Sequence, residues 1–172
     1  MKIYPLKRSK NRSKQIKGNR VSIETQQNTT TNICNRVHPN CVVCSSTNSK
    51  GLHLEFVSTN NGGITATFQC DEAFEGYPGV LHGGVISSIL DGAMGHCMFA
   101  RGQAVVTFEM TTRFRHPVVT NQEATVSARI ARSSHPLYQL EAEILQAGQV
   151  KATAKSKYFD QPRLIDVSEE FL

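Results

Sequence analysis

A histidine and two glycines, His82-Gly83-Gly84, stand directly before a run whose apolar residues recur at helical spacing, and this junction constrains the chain more than any other segment. Val85, Ile86, Ile89, Leu90, Ala93, Met94, Cys97 and Met98 make one broad apolar face, while Ser87, Ser88, Asp91, Gly95 and His96 fall mostly on the other. The spacing predicts a helix with one face in a core. Its first N–H groups have no intrahelical partner and lie at the positive end of the macrodipole, so they suit a carbonyl oxygen or a developing oxyanion. Glycines at 83 and 84 leave the approach to those donors open. Asp91, seven residues beyond Gly84, lies roughly 10 Å further along the axis. A group held at the N-terminus therefore cannot share one water with the Asp91 of its own helix. Joint use requires the same helix of a second, two-fold related copy, so a homodimer with composite sites is expected. The small residues Ser88, Gly92 and Gly95 are expected to admit that second helix closely.

The flanking segments read as strands. Leu52, Leu54 and Phe56 alternate, as do Ile64, Ala66, Phe68 and Cys70, and Asn61-Gly62-Gly63 between them predicts a hairpin. After the helix, Val106, Phe108, Met110, Thr112 and Phe114 are expected on one face of a strand ended by Pro117. Thr107, Glu109, Thr111, Arg113 and Arg115 are expected on the other. Three more strands follow from Val126, Ala128 and Ile130, from Tyr138, Leu140, Ala142 and Ile144, and from Ala152, Ala154 and Tyr158. The turns Ser133-Ser134-His135-Pro136 and Ala147-Gly148-Gln149 separate them. One long helix against five to six antiparallel strands is an α+β architecture.

The run from Gly79 to Arg115, with Gly-Val-Leu-His-Gly-Gly-Val-Ile-Ser-Ser-Ile-Leu-Asp followed by Val-Val-Thr-Phe-Glu-Met-Thr-Thr-Arg-Phe-Arg-His-Pro-Val, resembles the hotdog-fold acyl-CoA thioesterases of the PaaI type, within the wider 4-hydroxybenzoyl-CoA thioesterase-like superfamily. The resemblance spans roughly residues 51–160. It implies a long central helix wrapped by an antiparallel sheet, a dimer or dimer of dimers with acyl-CoA at the subunit interface, and a carboxylate acting as nucleophile or general base. It places the thioester carbonyl on the amides of Gly83 and Gly84 beside His82, the carboxylate at Asp91, and a hydroxyl that orients the attacking water at Thr107. Where many relatives carry Asn or Gln six residues before the histidine, this chain has Gly76. Tyr77 or Glu75 beside it are candidates to stand in, or the site is slower or does not hydrolyse at all. The implied activity is hydrolysis of a short-chain, medium-chain or aryl acyl-CoA with no cofactor and no metal. The alternatives are a non-catalytic acyl-CoA binding or sensing protein and, further off, an enoyl-CoA hydratase that would pair Asp91 with His96. The hydratase pattern has Asn-Pro between its Asp and His, whereas Gly92-Ala93-Met94-Gly95 stands here.

Phosphates of the CoA moiety would suit guanidinium groups, which makes Arg113, Arg115 and Arg132 candidate contacts, with Ser133, Ser88, Tyr77 and Lys155 beside them. The same basic residues read equally as a charged, solvated strand face. His82 is expected to orient the turn by bonding backbone rather than to act as a base.

The net charge of +5 is misleading. Eight basic residues and no acid precede Glu24, and residues 21–172 carry a net charge of −3, so no nucleic-acid partner is expected of the fold. Residues 1–33 read as a basic, polar, disordered tail, a composition shared with organellar transit peptides. Residues 34–50 read as a Cys-containing loop and 161–172 as a C-terminal tail. No apolar run suits a secretory signal or a membrane span, and five cysteines without such a signal favour a reducing, cytoplasmic setting. Cys34, His38, Cys41 and Cys44 could supply four zinc ligands. They crowd one loop, whereas zinc modules usually use two separated knuckles, so packing of that loop is the expectation. Cys70 and Cys97 fall on apolar faces as core thiols.

Overall fold

The helix behind His82 runs from Gly83 to Phe99, and ten of its residues are buried, including Gly95 and His96 on the flank expected to be polar. The second half of this helix is therefore enclosed on all sides. In the computed structural model, which describes residues 23–166, the enclosing elements are a sheet on one flank and an N-terminal helix with its following loop on the other. Residues 1–22, which hold the whole acid-free basic stretch, and 167–172 lie outside the described residues.

In chain order the elements are α1 (Ile23–Val37), β1 (Val57–Ser58), β2 (Ile64–Gln69), β3 (Glu75–Tyr77), β4 (Val80–Leu81), α2 (Gly83–Phe99), β5 (Val105–Phe114), β6 (Glu123–Ser134), β7 (Leu137–Gln146), β8 (Gln149–Asp160) and α3 (Arg163–Asp166). Among the described residues, six strands form one antiparallel sheet in the order β1-β2-β6-β7-β8-β5, and β3 and β4 make a separate small hairpin leading into α2. This is the expected α+β hotdog arrangement. Ala128, Ala142 and Ala154 face one another across β6, β7 and β8, and this row of small side chains lets α2 settle against the sheet. Ile89, Leu90, Met94 and Met98 from the helix meet Val126, Leu140 and Ile144 from the sheet in the core. Each such side chain contributes roughly 1.5–3 kcal/mol on burial. No helix among the described residues is long and apolar enough to cross a membrane.

Four expectations are corrected. Residues 23–33, read as part of a disordered tail, and 34–37, read as the start of the Cys-containing loop, form α1. Its apolar content is low, and it is fixed by polar contacts: the Gln27 side chain donates to Phe56 O at 3.0 Å and accepts from Ser58 N at 3.0 Å, and Thr30 is buried. The strand expected over Leu52–Phe56 shrinks to Val57–Ser58. Leu52 and Leu54 donate their amides to Val42 O and Val43 O in the preceding loop instead of to a sheet neighbour, although Leu54 and Phe56 remain in the core.

The third correction concerns β5. Its single expected alternation is broken by a β-bulge between Thr107 and Glu109, where Phe108 is the extra residue. Thr107 pairs with the buried Tyr158 and Met110 with the buried Ser156, so both face inward, whereas one unbroken phase would set them on opposite faces. Val106, Phe108 and Phe114 are 39%, 69% and 56% exposed on what is the edge strand of the sheet, in place of a half-buried strand.

The fourth concerns Gly92, expected to face a second helix. A Cβ there would lie 2.8 Å from Val43 Cγ1 and 3.6 Å from Phe56 Cζ, so its smallness is used within the chain. Val43 is β-branched and cannot swing aside cheaply. Gly92→Ala is expected to destabilise the fold by about 1–3 kcal/mol through overpacking, read as a lowered denaturant midpoint at unchanged slope. An unchanged midpoint would show that the loop carrying Val43 is not seated there.

Candidate active site

α2 begins where the backbone changes from extended to helical at His82, its N-cap. The side chain of His82 accepts the Gly84 N–H at Nδ1, 2.9 Å away, and its own amide donates to Phe74 O. The ring therefore serves as a helix cap, bonding backbone. A Cβ on Gly84 would crowd the ring at 3.0 Å, and one on Gly76 would meet its Cδ2 at 2.9 Å. Glycine at 76 is thus what lets His82 lie back over the β3 turn. Any side chain there, including the Asn of relatives, would need this ring elsewhere.

The cap has a consequence for the expected pair of oxyanion donors. The Gly84 amide is already engaged by His82, whereas the Gly83 amide makes no hydrogen bond among the described residues. Gly83 lies under the edge of Phe114, 3.5 Å from where its Cβ would sit, which is ordinary contact. Of the glycine pair, the amide left free at the positive end of the helix is that of Gly83.

Asp91 lies two turns further along α2 and receives two hydrogen bonds on one carboxylate oxygen. Thr107 Oγ1 and Tyr158 OH both donate to its Oδ1 at 2.7 Å, and the Tyr158 hydroxyl also lies 2.8 Å from the Asp91 carbonyl oxygen. Oδ2 makes no hydrogen bond among the described residues. The β5 bulge is what turns Thr107 inward to reach this carboxylate. Tyr158, 2% exposed, was read from sequence only as a core strand residue, because its period places it on the apolar face and nothing in the pattern shows a carboxylate above it.

Burial first, then the negative charge of Asp91, push the Tyr158 hydroxyl above its ordinary value near 10. With the folded-state value raised, the contribution to stability is fully present below about pH 10 and is lost as pH rises beyond it. The rate of any reaction that uses Asp91 is therefore expected to show no alkaline limb from Tyr158 below about pH 10. Tyr158→Phe should lower kcat about tenfold, the worth of one hydrogen bond to a charged group, and leave the alkaline side of the pH profile alone. A limb near pH 9 that disappears in Tyr158→Phe would contradict this.

The other candidates are dispersed. Ser88 Oγ donates to Gly84 O within the helix. Glu75 accepts the Gly79 N–H and so braces the β3–β4 turn, while Tyr77 at its tip is 79% exposed. Ser133, Tyr138, Tyr158 and Thr107 oppose one another in a row across β6, β7, β8 and β5. Ser133, with Arg132 next to it, therefore stands three strands, about 14 Å, from Thr107. Arg113 and Arg115 line a groove with Thr111, Arg129 and Lys155 on the sheet face turned from α2, where Arg129 and Lys155 already pair with Glu141. A single chain does not bring these arginines to Asp91. His96 does not meet Asp91 either: its ring stacks on Phe56 at 4.3 Å and faces Cys34. Burial raises the thiols of Cys70 and Cys97, to about 11 and about 12, which leaves them unreactive at neutral pH.

The sequence profile of the thioesterase superfamily matches residues 78–153, the span that carries the His82 cap, α2, β5 to β7 and the start of β8. Among curated proteins the chain is similar to the acyl-coenzyme A thioesterase THEM4 of Bos taurus, 37% identical over 71 residues covering 40% of this chain and 29% of that protein. The matched part thus spans less than a third of that relative's length. Among solved structures it is similar to the PaaI protein of the E. coli phenylacetic acid degradation operon, with a TM-score of 0.68 and 17% identity over 81% of this chain and 95% of that one. It is also similar to smu.793 of Streptococcus mutans bound to acetyl CoA, with a TM-score of 0.59 and 19% identity over 63% and 88% of the two chains. At these identities the structural likeness establishes the fold.

Proposed function

We propose that this chain, which carries the hotdog fold of the thioesterase superfamily with the superfamily match over residues 78–153, hydrolyses acyl-CoA thioesters. The observation that carries the proposal is the Asp91 carboxylate, fixed through Oδ1 by Thr107 and Tyr158 with Oδ2 left to act. A water bonded to Oδ2 attacks the thioester carbon as its proton passes to Asp91. The negative charge gathering on the carbonyl oxygen is met by the Gly83 N–H at the helix N-terminus. Collapse breaks the C–S bond, and the proton held by Asp91 goes to the departing CoA sulfur, leaving free acid and free thiol. If Oδ2 attacks the carbon directly, a mixed anhydride forms and water hydrolyses it in a second step. Both routes use the same atom.

Gly83 and Asp91 of one helix are about 12 Å apart, so the reading includes a homodimer in which the Gly83 amide of one protomer serves the carboxylate of the other. The acyl group is short-chain, medium-chain or aryl, and the setting is a reducing one, the cytoplasm, where cysteines outside disulfides persist.

A second reading, acyl-CoA binding without turnover, is favoured by Gly76, since neither an Asn nor the engaged Glu75 is there to hold the water. Release of free CoA from a panel of acyl-CoA thioesters separates the two. Turnover of at least one member supports hydrolysis, whereas saturable binding of the panel with no thiol released would overturn it in favour of the sensor.

A further inference from the structure

On the flank of α2 turned from the sheet, sulfur and imidazole side chains that the chemistry above does not use converge. Cys34 in the last turn of α1, His38 just past its end and Cys44 in the following loop place their ligand atoms within 4.8 Å of one another. Cys34 Sγ lies 3.5 Å from Cys44 Sγ, and Cys44 Sγ lies 3.9 Å from His38 Nδ1. Tetrahedral zinc, with bonds of about 2.3 Å to sulfur and about 2.0–2.1 Å to nitrogen, separates its ligand atoms by about 3.5–3.8 Å. Three corners of such a tetrahedron are therefore nearly in place before any metal is considered. Cys41, three residues before Cys44, stands outside that group of three; its sulfur accepts the Val43 N–H at 3.4 Å and would have to move in to fill the fourth corner.

We propose that Cys34, His38, Cys41 and Cys44 form a structural zinc site that ties α1 and the loop after it to the flank of α2. The ligands come from two elements. Cys34 and His38, four apart, project from one side of the end of α1, and Cys41 and Cys44 project from a loop closed by backbone hydrogen bonds, including Ser45 N to Cys41 O at 3.1 Å. The sequence expectation of a single crowded loop fails because residues 23–37 are helical.

The surroundings suit a charged cluster better than neutral packing. His96, 5% exposed, points Nε2 at Cys34 Sγ from 3.9 Å, the placement of a donor to a metal-bound thiolate, and its Nδ1 is buried without a partner. Three sulfurs and one imidazole make a soft donor set for zinc, and with all four positions filled by protein the site holds no place for substrate.

The test is the metal content of the full chain, produced without a histidine tag and purified in a non-thiol reductant. About one zinc per chain is expected, falling at least tenfold in the double variant Cys34→Ser/Cys44→Ser and unchanged in Cys70→Ser. Should the double variant not fold, cobalt exchanged into the wild-type protein decides: sulfur-to-cobalt charge-transfer bands with tetrahedral d–d bands support the site. Wild-type protein with no zinc and no cobalt spectrum would overturn it. So would zinc retained in the folded double variant, or a Cys34–Cys44 disulfide whose reduction is followed by no metal uptake.

Discussion

Asp91→Asn is expected to lower kcat for CoA release by about a hundredfold or more, roughly 2.7 kcal/mol of transition-state stabilisation, while the protein stays folded. The amide oxygen of asparagine can still accept from Thr107 Oγ1 and Tyr158 OH, so the two bonds that seat the side chain persist. What is lost is the second carboxylate oxygen, for an amide nitrogen is neither base nor nucleophile. The variant should keep the affinity of the wild type for acyl-CoA and for CoA, because in the proposed reaction Asp91 acts on the thioester carbon and not on the nucleotide. Steady-state release of free thiol, measured beside thermal unfolding, checks both halves. A fall smaller than about tenfold would remove Asp91 from the reaction.

Phe108→Asp should give a folded monomer with a loss of turnover as large as that of Asp91→Asn. β5 is the edge of the sheet, ten residues long, and an uncovered edge of that length carrying Val106, Phe108 and Phe114 is a surface that globular chains ordinarily cover. Thr107, which holds Asp91, lies on this same strand, so a second copy seated along β5 would lie against the Asp91 carboxylate. The bulge places Phe108 outward at the strand's mid-length, where an aspartate would set like charges facing across a two-fold axis. Light scattering after gel filtration, with activity measured on the same fractions, reads the outcome. A wild-type protein that is monomeric and fully active would sink the composite site, and a Phe108→Asp dimer would move the interface off β5.

Much of the site was legible without coordinates. The period of Val85 to Met98 placed a helix behind His82, the glycine pair marked its open end, and seven residues separated Gly84 from the carboxylate. All of these are local, because helix formation depends on side chains three and four apart. Tyr158 stayed hidden for the opposite reason. Its register puts it in the core with Leu140 and Ile144, and its hydroxyl has a purpose only once α2 is laid across β8. The inward turn of Thr107 was equally out of reach, since a one-residue bulge leaves the composition of β5 unchanged and shifts only its phase. Gly84 shows the same limit at closer range, where the sequence implies a free donor and the His82 ring has already taken it.

The amino-acid sequence by itself determined the α+β class, the long helix, the antiparallel strands after it and the carboxylate on that helix, because periodicity and turn residues act over a few positions. Only the tertiary structure decided which hydroxyls hold Asp91 and which amide of the glycine pair remains free. It also decided that a polar stretch with little apolar content becomes α1 and brings Cys34 and His38 to Cys44. These are meetings between residues far apart in the chain or on separate elements, and their geometry is set by packing that no local pattern encodes.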